Sequence, residues 1–197
     1  MKTITTPVAG VDEAGRGPIA GPVVAAAAIL TPPQFRVLLK EGLDDSKKLS
    51  ESARERLFSR MAELGVVWTA QAASHIRIDR MNILRATLWA MSRAVMALPL
   101  KPGVIVVDGI NLIPDIPAGM QITMPKADAK VPAVMAASVV AKVLRDRVMR
   151  SLDRIYPEWG FAKHKGYPTG AHRLAADQFG PSPVHRLSFG GYKKWLT

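Results

Sequence analysis

One run limits the folds open to this chain: Val23 to Leu30, eight consecutive apolar residues closed on both sides by Pro22 and by Thr31-Pro32-Pro33. It is far shorter than the roughly 20 residues a membrane span needs. A short apolar run between turn signals reads as a strand buried on both faces, and such a strand needs helices above and below its sheet. The surrounding pattern supplies both partners. Val8 to Val11 reads as a first strand, Val66 to Ala72 as a third, Val104 to Val107 as a central strand and Met120 to Met124 as a last one. Thr31 before two prolines predicts a helix to about Lys40, and Ser50 with Glu51 predicts another to about Leu64. Ile83, Leu84, Leu88, Met91, Val95 and Leu98 recur at helical spacing until Pro99. Pro132 to about Ile155, without Gly or Pro inside, predicts the longest helix. Alternating strands and helices give the α/β class. With 197 residues the reading is one domain, a core over about 1–150 followed by a basic helical or loop-rich part over about 151–197.

Charge narrows the partners. The chain carries 27 Lys and Arg against 16 Asp and Glu, net +11. From Lys142 to Thr197 there are 11 basic and four acidic residues. Such clustering points to a polyanion, and nucleic acid leads because no basic amphipathic helix with aromatic anchors suggests a membrane surface. Zero cysteines exclude disulfides, thiolate zinc sites and a cysteine nucleophile, and suit a reducing compartment. Near the N-terminus the apolar stretch soon meets Asp12 and Glu13, so no signal-peptide core is read there. The expectation is a cytoplasmic protein with no membrane partner.

Acids at predicted strand ends carry the chemistry. Asp12 and Glu13 close the first strand and Asp108 closes the fourth, and sites in open α/β sheets lie beyond the carboxyl ends of strands. A single acid there is usually a turn or cap residue; several converging acids repel and need a cation. Oxygen-only ligands select hard ions such as Mg2+ or Mn2+, and a pair of them hydrolyses phosphodiesters. Adjacent residues on a regular strand point to opposite faces, so Asp12 and Glu13 share one metal pair only if the strand is ending there, with Gly15 providing the departure.

Other segments suit phosphate or sugar. Gly15-Arg16-Gly17 brings main-chain N–H groups and a forked donor together, although the same pattern makes an ordinary turn. Ser46, Lys47 and Lys48 sit before a helix start. Ser138 and Lys142 lie four apart on the long helix, the lysine among small residues, which implies a purpose for its charge. In His164-Lys165-Gly166-Tyr167-Pro168-Thr169 a proline keeps the preceding Tyr167 extended, as either a stacking ring or a buried turn residue.

Taken in order, Gly10-Val-Asp12-Glu13-Ala-Gly15-Arg16-Gly17-Pro18, Asp45-Ser46-Lys47-Lys48-Leu-Ser50, Val107-Asp108-Gly109, Lys126-Ala127-Asp128, Ala136 to Asp146, His164 to Thr169 and His185-Arg186-Leu-Ser-Phe-Gly190 resemble the ribonuclease HII family from about Val8 to Gly190. The resemblance implies an RNase H-like fold, a mixed central sheet flanked by helices with a C-terminal helical extension. It implies Asp12, Glu13, Asp108 and Asp128 as catalytic metal-binding carboxylates for two Mn2+ or Mg2+ ions. It implies that Gly15, Arg16, Gly17 and Tyr167 sense a ribonucleotide, the 2′-hydroxyl being all that marks RNA at one nucleotide. Ser46, Lys47, Lys48, Ser138, Lys142, His164, Lys165 and Arg186 complete the implied substrate contacts. The implied substrates are RNA–DNA hybrids and duplex DNA containing ribonucleotides, cut on the 5′ side. A monomer is implied, and the tail with Lys193 and Lys194 is a candidate contact for a sliding clamp. Two departures stand out: Ile110 separates Gly109 from Asn111, and Ala127 replaces the family's usual glycine. The competing readings are a related nuclease for branched DNA and a non-enzymatic basic nucleic-acid-binding module.

Overall fold

A computed structural model describes residues 6–189. Five strands, β1 (Val8–Ala14), β2 (Val23–Ile29), β3 (Val67–Ala73), β4 (Val104–Asp108) and β5 (Gln121–Met124), form one sheet in the order β3-β2-β1-β4-β5. β1 pairs antiparallel with β2 and parallel with β4, so the sheet is mixed. The helices are α1 (Pro32–Lys40), α2 (Glu51–Glu63), α3 (His75–Met81), α4 (Ile83–Met96), α5 (Pro132–Ile155), α6 (Phe161–His164) and α7 (Gly170–Phe179). The α/β class and the helix-flanked mixed sheet expected from the resemblance are observed. No described helix is long and apolar enough to cross a membrane.

All seven β2 residues are buried, as its unbroken apolar run requires. Val23, Ala25, Ala27 and Ile29 face one core with Ala90 and Ala94 of α4; Ala26 and Ala28 face another with Ala137 and Val140 of α5. Alanine on both faces lets two helices approach closely. The same alternation splits β1: Ala9 and Val11 enter the α4 core, while Gly10 faces α5. A Cβ on Gly10 would lie 2.2 Å from the Ala133 carbonyl carbon and the Val134 nitrogen. Only glycine allows this contact, which brings the start of α5 against β1.

Local signals set the element boundaries. The Ser50 hydroxyl accepts from the Ala53 N–H at 3.2 Å, capping α2. Asn82, at φ 67°, caps α4 by accepting from the Arg85 N–H at 3.0 Å, and separates α4 from α3, which hydrophobic spacing did not predict. β1 continues three residues past the expected Val11 because its pairing with β2 persists to Ala14 opposite Val24.

The basic C-terminal part is fastened to the connection between β1 and β2. Main-chain bonds join Ile19 N–H to the Gly166 carbonyl, Gly21 N–H to the Val184 carbonyl and Arg186 N–H to the Ile19 carbonyl. Ala20, Met149, Phe161 and Val184 form their own small core beneath these bonds. The Asp79 carboxylate of α3 accepts from the N–H groups of Leu187 and Ser188 and from the Ser188 hydroxyl.

Candidate active site

The parallel β1 and β4 are registered with Val11 opposite Val107, so Asp12 and Asp108 are the next residues on each strand and leave the same face of the sheet. That is the α5 face. Asp128 reaches it from a single 3-10 turn, Ala127–Ala129, just before α5. The turn is entered through Lys126 in the left-handed conformation, φ 59°. The Ala127 N–H donates to Asp108 Oδ1 at 2.8 Å, tying the turn to the strand end. Each of Asp12, Asp108 and Asp128 offers an oxygen, and these oxygens all lie within 4.8 Å of one another. Ala127 is fully buried there, so the methyl group at this departure is packed into the site.

Carboxylates crowded this closely resist ionisation. Burial, then the charge of Glu13, pushes the Asp12 carboxyl well above its usual range, against a hydrogen bond from Ser138 that favours the charged form. Burial also raises Asp108, opposed by the Ala127 N–H. The Lys47 ammonium stands 2.6 Å from Asp128 Oδ2 and supplies one compensating charge. Burial opposes that ammonium charge, but Asp128 overrides it and holds the group above the usual lysine range. A buried, oxygen-only donor set of this kind fits a hard divalent cation, Mg2+ or Mn2+. Asp12, Asp108 and Asp128 would hold it.

Glu13 stands differently. Because β1 stays regular through Ala14, consecutive Asp12 and Glu13 leave opposite faces, and Glu13 is not in the three-oxygen group. The strand does not end before Ala14 as expected, and Glu13 approaches the Asp108 end of β4 from the neighbouring cleft. Glu13 pairs with Arg16 at 3.6 Å and lines a cleft of about 250 Å3 with Asp108, Gly109 and Asn111. Burial raises its carboxyl too, against the neighbouring Arg16.

Beside the carboxylates, Gly15-Arg16-Gly17 and Tyr167 form a cradle. Tyr167 is 43% exposed, and a Cβ built on Gly17 would lie 3.6 Å from its Cε1. Gly15 has φ +98°, and a side chain there would strike the Arg145 guanidinium, so glycine is required twice over. Arg145 donates to the carbonyls of Pro22, Lys165 and Ala20, spanning from the loop to the Tyr167 turn. Nothing in the sequence beyond its place in a small-residue helix marked it.

Several residues expected as substrate contacts have partners within the protein. Arg186 is fully buried and donates to the carbonyls of Gly15, Arg16 and Gly21. It shapes the loop and is not a direct contact. His164 accepts from the Gly166 N–H at Nδ1 and bonds the Trp159 carbonyl through Nε2, which leaves it no atom for substrate. Lys142 is held by Asp146 at 2.7 Å, and Arg54 shares that carboxylate at 3.4 Å. The charge among small residues serves this ion cluster. Ser46 and Ser138 are buried and bond each other at 2.8 Å. Lys165 donates to the Ala162 carbonyl and pairs with Glu51 at 3.4 Å. Arg16, Lys47 and Lys48 keep exposed side chains at the rim, Lys48 pairing with Asp44. Lys193 and Lys194 lie outside the described residues.

A mixed RNase H-like sheet with carboxylates at adjacent parallel strand ends, under a basic rim, defines a polynucleotide hydrolase of the metal-dependent class. The ribonuclease HII family model matches residues 9–191. The chain belongs to the ribonuclease HII family. It is 49% identical over 189 residues to ribonuclease HII of Marinomonas sp. (strain MWYL1), covering 96% of this chain and 92% of that one. Against ribonuclease HII of Vibrio cholerae serotype O1 the identity is 48%, covering 96% and 89%. The crystal structure of ribonuclease H2 from Pyrococcus horikoshii OT3 superposes with a TM-score of 0.77 at 31% identity, over 95% of this chain and 96% of that one. The ribonuclease HII of a PCNA complex from Archaeoglobus fulgidus gives 0.77 at 27% identity, over 93% and 95%.

Proposed function

We propose that this protein is a divalent-metal-dependent endonuclease that hydrolyses the RNA strand of RNA–DNA hybrids and cuts on the 5′ side of a ribonucleotide embedded in duplex DNA. The observation that carries the reading is the group of Asp12, Asp108 and Asp128, oxygens within 4.8 Å, placed beside a cradle of glycines and one exposed tyrosine. Bound Mg2+ or Mn2+ ions supply a water of lowered pKa and a counter-charge for the leaving 3′-oxygen. Glu13 is the fourth carboxylate of the proposed set, at the cleft side beside Arg16. Main-chain groups of Gly15 to Gly17 meet the 2′-hydroxyl, and Tyr167 stacks on the adjoining sugar. Arg16, Lys47 and Lys48 approach phosphates. Arg186, Arg145 and His164 act through the loop and turn they hold.

The protein acts as one domain and as a cytoplasmic monomer in this reading. The C-terminal tail is proposed to touch a sliding clamp, a reading supported by the archaeal PCNA complex. The deciding assay compares three substrates, a long hybrid, a DNA duplex with one ribonucleotide and an all-DNA four-way junction, each with and without Mn2+. Metal-dependent cutting of the first two is expected. Cutting of the junction alone points to a branched-DNA nuclease, and binding without cutting points to a basic binding module. Tyr167→Ala is expected to slow cutting at the single ribonucleotide more than it weakens binding; an unchanged rate removes Tyr167 from the sensor.

A further inference from the structure

Behind the Tyr167 turn lies a buried group that the proposed chemistry leaves unused. His172 and His185 are fully buried, and their Nε2 atoms lie 3.1 Å apart. His172 Nδ1 is 2.8 Å from the Tyr167 carbonyl oxygen. His185 Nδ1 accepts from the Ser182 N–H at 2.9 Å, with the Ser182 hydroxyl at 2.7 Å. His164 stacks on His172 at 4.1 Å, and Phe161 meets it edge-on at 5.5 Å.

Proton bookkeeping fixes this chain in one direction. A main-chain N–H only donates, so His185 Nδ1 is unprotonated and its proton sits on Nε2. That N–H points at His172 Nε2, which must therefore accept. The remaining His172 proton is then on Nδ1, aimed at the Tyr167 carbonyl. Protonating His172 would set two N–H groups face to face across 3.1 Å, and protonating His185 would set its Nδ1–H against the Ser182 N–H across 2.9 Å. Burial pushes both imidazoles down to about 4, with the neighbouring His172 adding to the effect on His185, so both are neutral at neutral pH.

The Tyr167 carbonyl is the group that such a relay would fix. It also accepts from the Thr169 N–H at 2.8 Å, in a tight turn whose next residue is Pro168. Tyr167 is 43% exposed, with the Arg145 guanidinium 6.0 Å from its ring centre and Gly17 beside Cε1, so these neighbours hold the ring only if the peptide that follows Tyr167 aims its Cα–Cβ bond at them. We propose that His172 is a positioning residue for the Tyr167 ring, the last link of a one-way hydrogen-bond relay from Ser182 through His185 and His172 to the Tyr167 carbonyl. The functional half of this proposal rests on the reading of Tyr167 as the ring that meets the ribonucleotide.

Two measurements test it. Nitrogen-15 NMR of the unaltered chain is expected to show His172 as the Nδ1–H tautomer and His185 as the Nε2–H tautomer at neutral pH; His172 protonated on Nε2 overturns the relay. The second is kinetic and uses the duplex with one ribonucleotide. His172→Phe keeps the ring packing but cannot donate, and is expected to lower kcat by about tenfold or more with KM little changed, since misplacing a substrate-orienting ring acts on the geometry of the bound complex. His172→Asn places an amide N–H near the position of Nδ1 and is expected to recover most of that loss. The Mn2+-induced gain in Tm should be the same in both variants as in the unaltered chain. A His172→Phe rate equal to the unaltered one, while Tyr167→Ala is slow, refutes the positioning role. A fast Tyr167→Ala refutes the sensor reading instead and takes the functional half of the proposal with it. The tautomer result needs neither variant to fold.

Discussion

Replacing Asp12 by Asn should destroy the activity and stabilise the metal-free protein. The side chain is buried, with carboxylate oxygens of Asp108 and Asp128 within 4.8 Å. At that separation each like-charge pair costs about 3.5 kcal/mol for an effective dielectric constant of about 20. Lys47 on Asp128, the Ser138 hydrogen bond and proton uptake by Asp12 itself remove much of this. A net gain of about 1–2 kcal/mol is left for the neutral amide, which in a chain of this size raises Tm by roughly 2–8 °C. Asn keeps an oxygen for the Glu13 N–H that Asp12 Oδ1 accepts at 2.7 Å, so the exchange breaks no main-chain bond. Mn2+ at about a hundred times its dissociation constant stabilises the unaltered protein by about 2.7 kcal/mol, and this gain should vanish in the variant. Thermal scans with chelator and with Mn2+ give both numbers. The sign with pH provides a second check. A carboxyl raised by folding keeps more protons in the folded state, so its contribution to stability is complete below the ordinary carboxylate range and is lost as pH rises through the raised value. The advantage of Asp12→Asn should therefore grow with pH across that window and disappear in acid. A variant less stable than its parent at neutral pH without metal, or one that retains the Mn2+ gain, would show that Asp12 is neither crowded by its neighbouring carboxylates nor a metal ligand.

Other expectations follow from neighbouring contacts. Gly10→Ala sets a methyl group 2.2 Å from the α5 backbone, and overpacking that cannot relax through a side chain should cost roughly 3 kcal/mol, read as a lower Tm with activity falling alongside. Arg186→Gln leaves buried carbonyls of Gly15, Arg16 and Gly21 without their donors and should cost about 3–5 kcal/mol, with single-ribonucleotide cutting lost before metal binding in any survivor. Because Asp12, Glu13 and Asp108 are all raised in the metal-free protein, Mn2+ binding should release protons and tighten as pH rises. Calorimetry in two buffers of different ionisation enthalpy measures that release, and equal heats would contradict it.

The sequence by itself determined the layers of this protein. A strand with no polar residue can only be central, so Val23 to Ile29 dictated helices on both faces, and the Thr31–Pro32, Ser50 and Pro132 signals placed the starts of α1, α2 and α5. Acids at strand ends made Asp12 and Asp108 legible because sites of this class lie where parallel strands stop. Asp128 was legible only through family resemblance: its place depends on a turn entered by a left-handed Lys126 and tied to Asp108, and no periodicity records that. Tertiary structure alone decided which charges face outward. Arg186, His164 and Lys142 read in the sequence as substrate ligands, yet each meets carbonyls or a buried carboxylate within the protein. The physical reason is that a charged side chain is identical in sequence whether it meets a phosphate or a main-chain oxygen. Only the packing of α5 and the C-terminal part against the end of β1 determines which of the two it finds. The same packing put Glu13 and Asp12 on opposite faces, since strand pairing beyond Val11 outlasted the departure that Gly15 suggested.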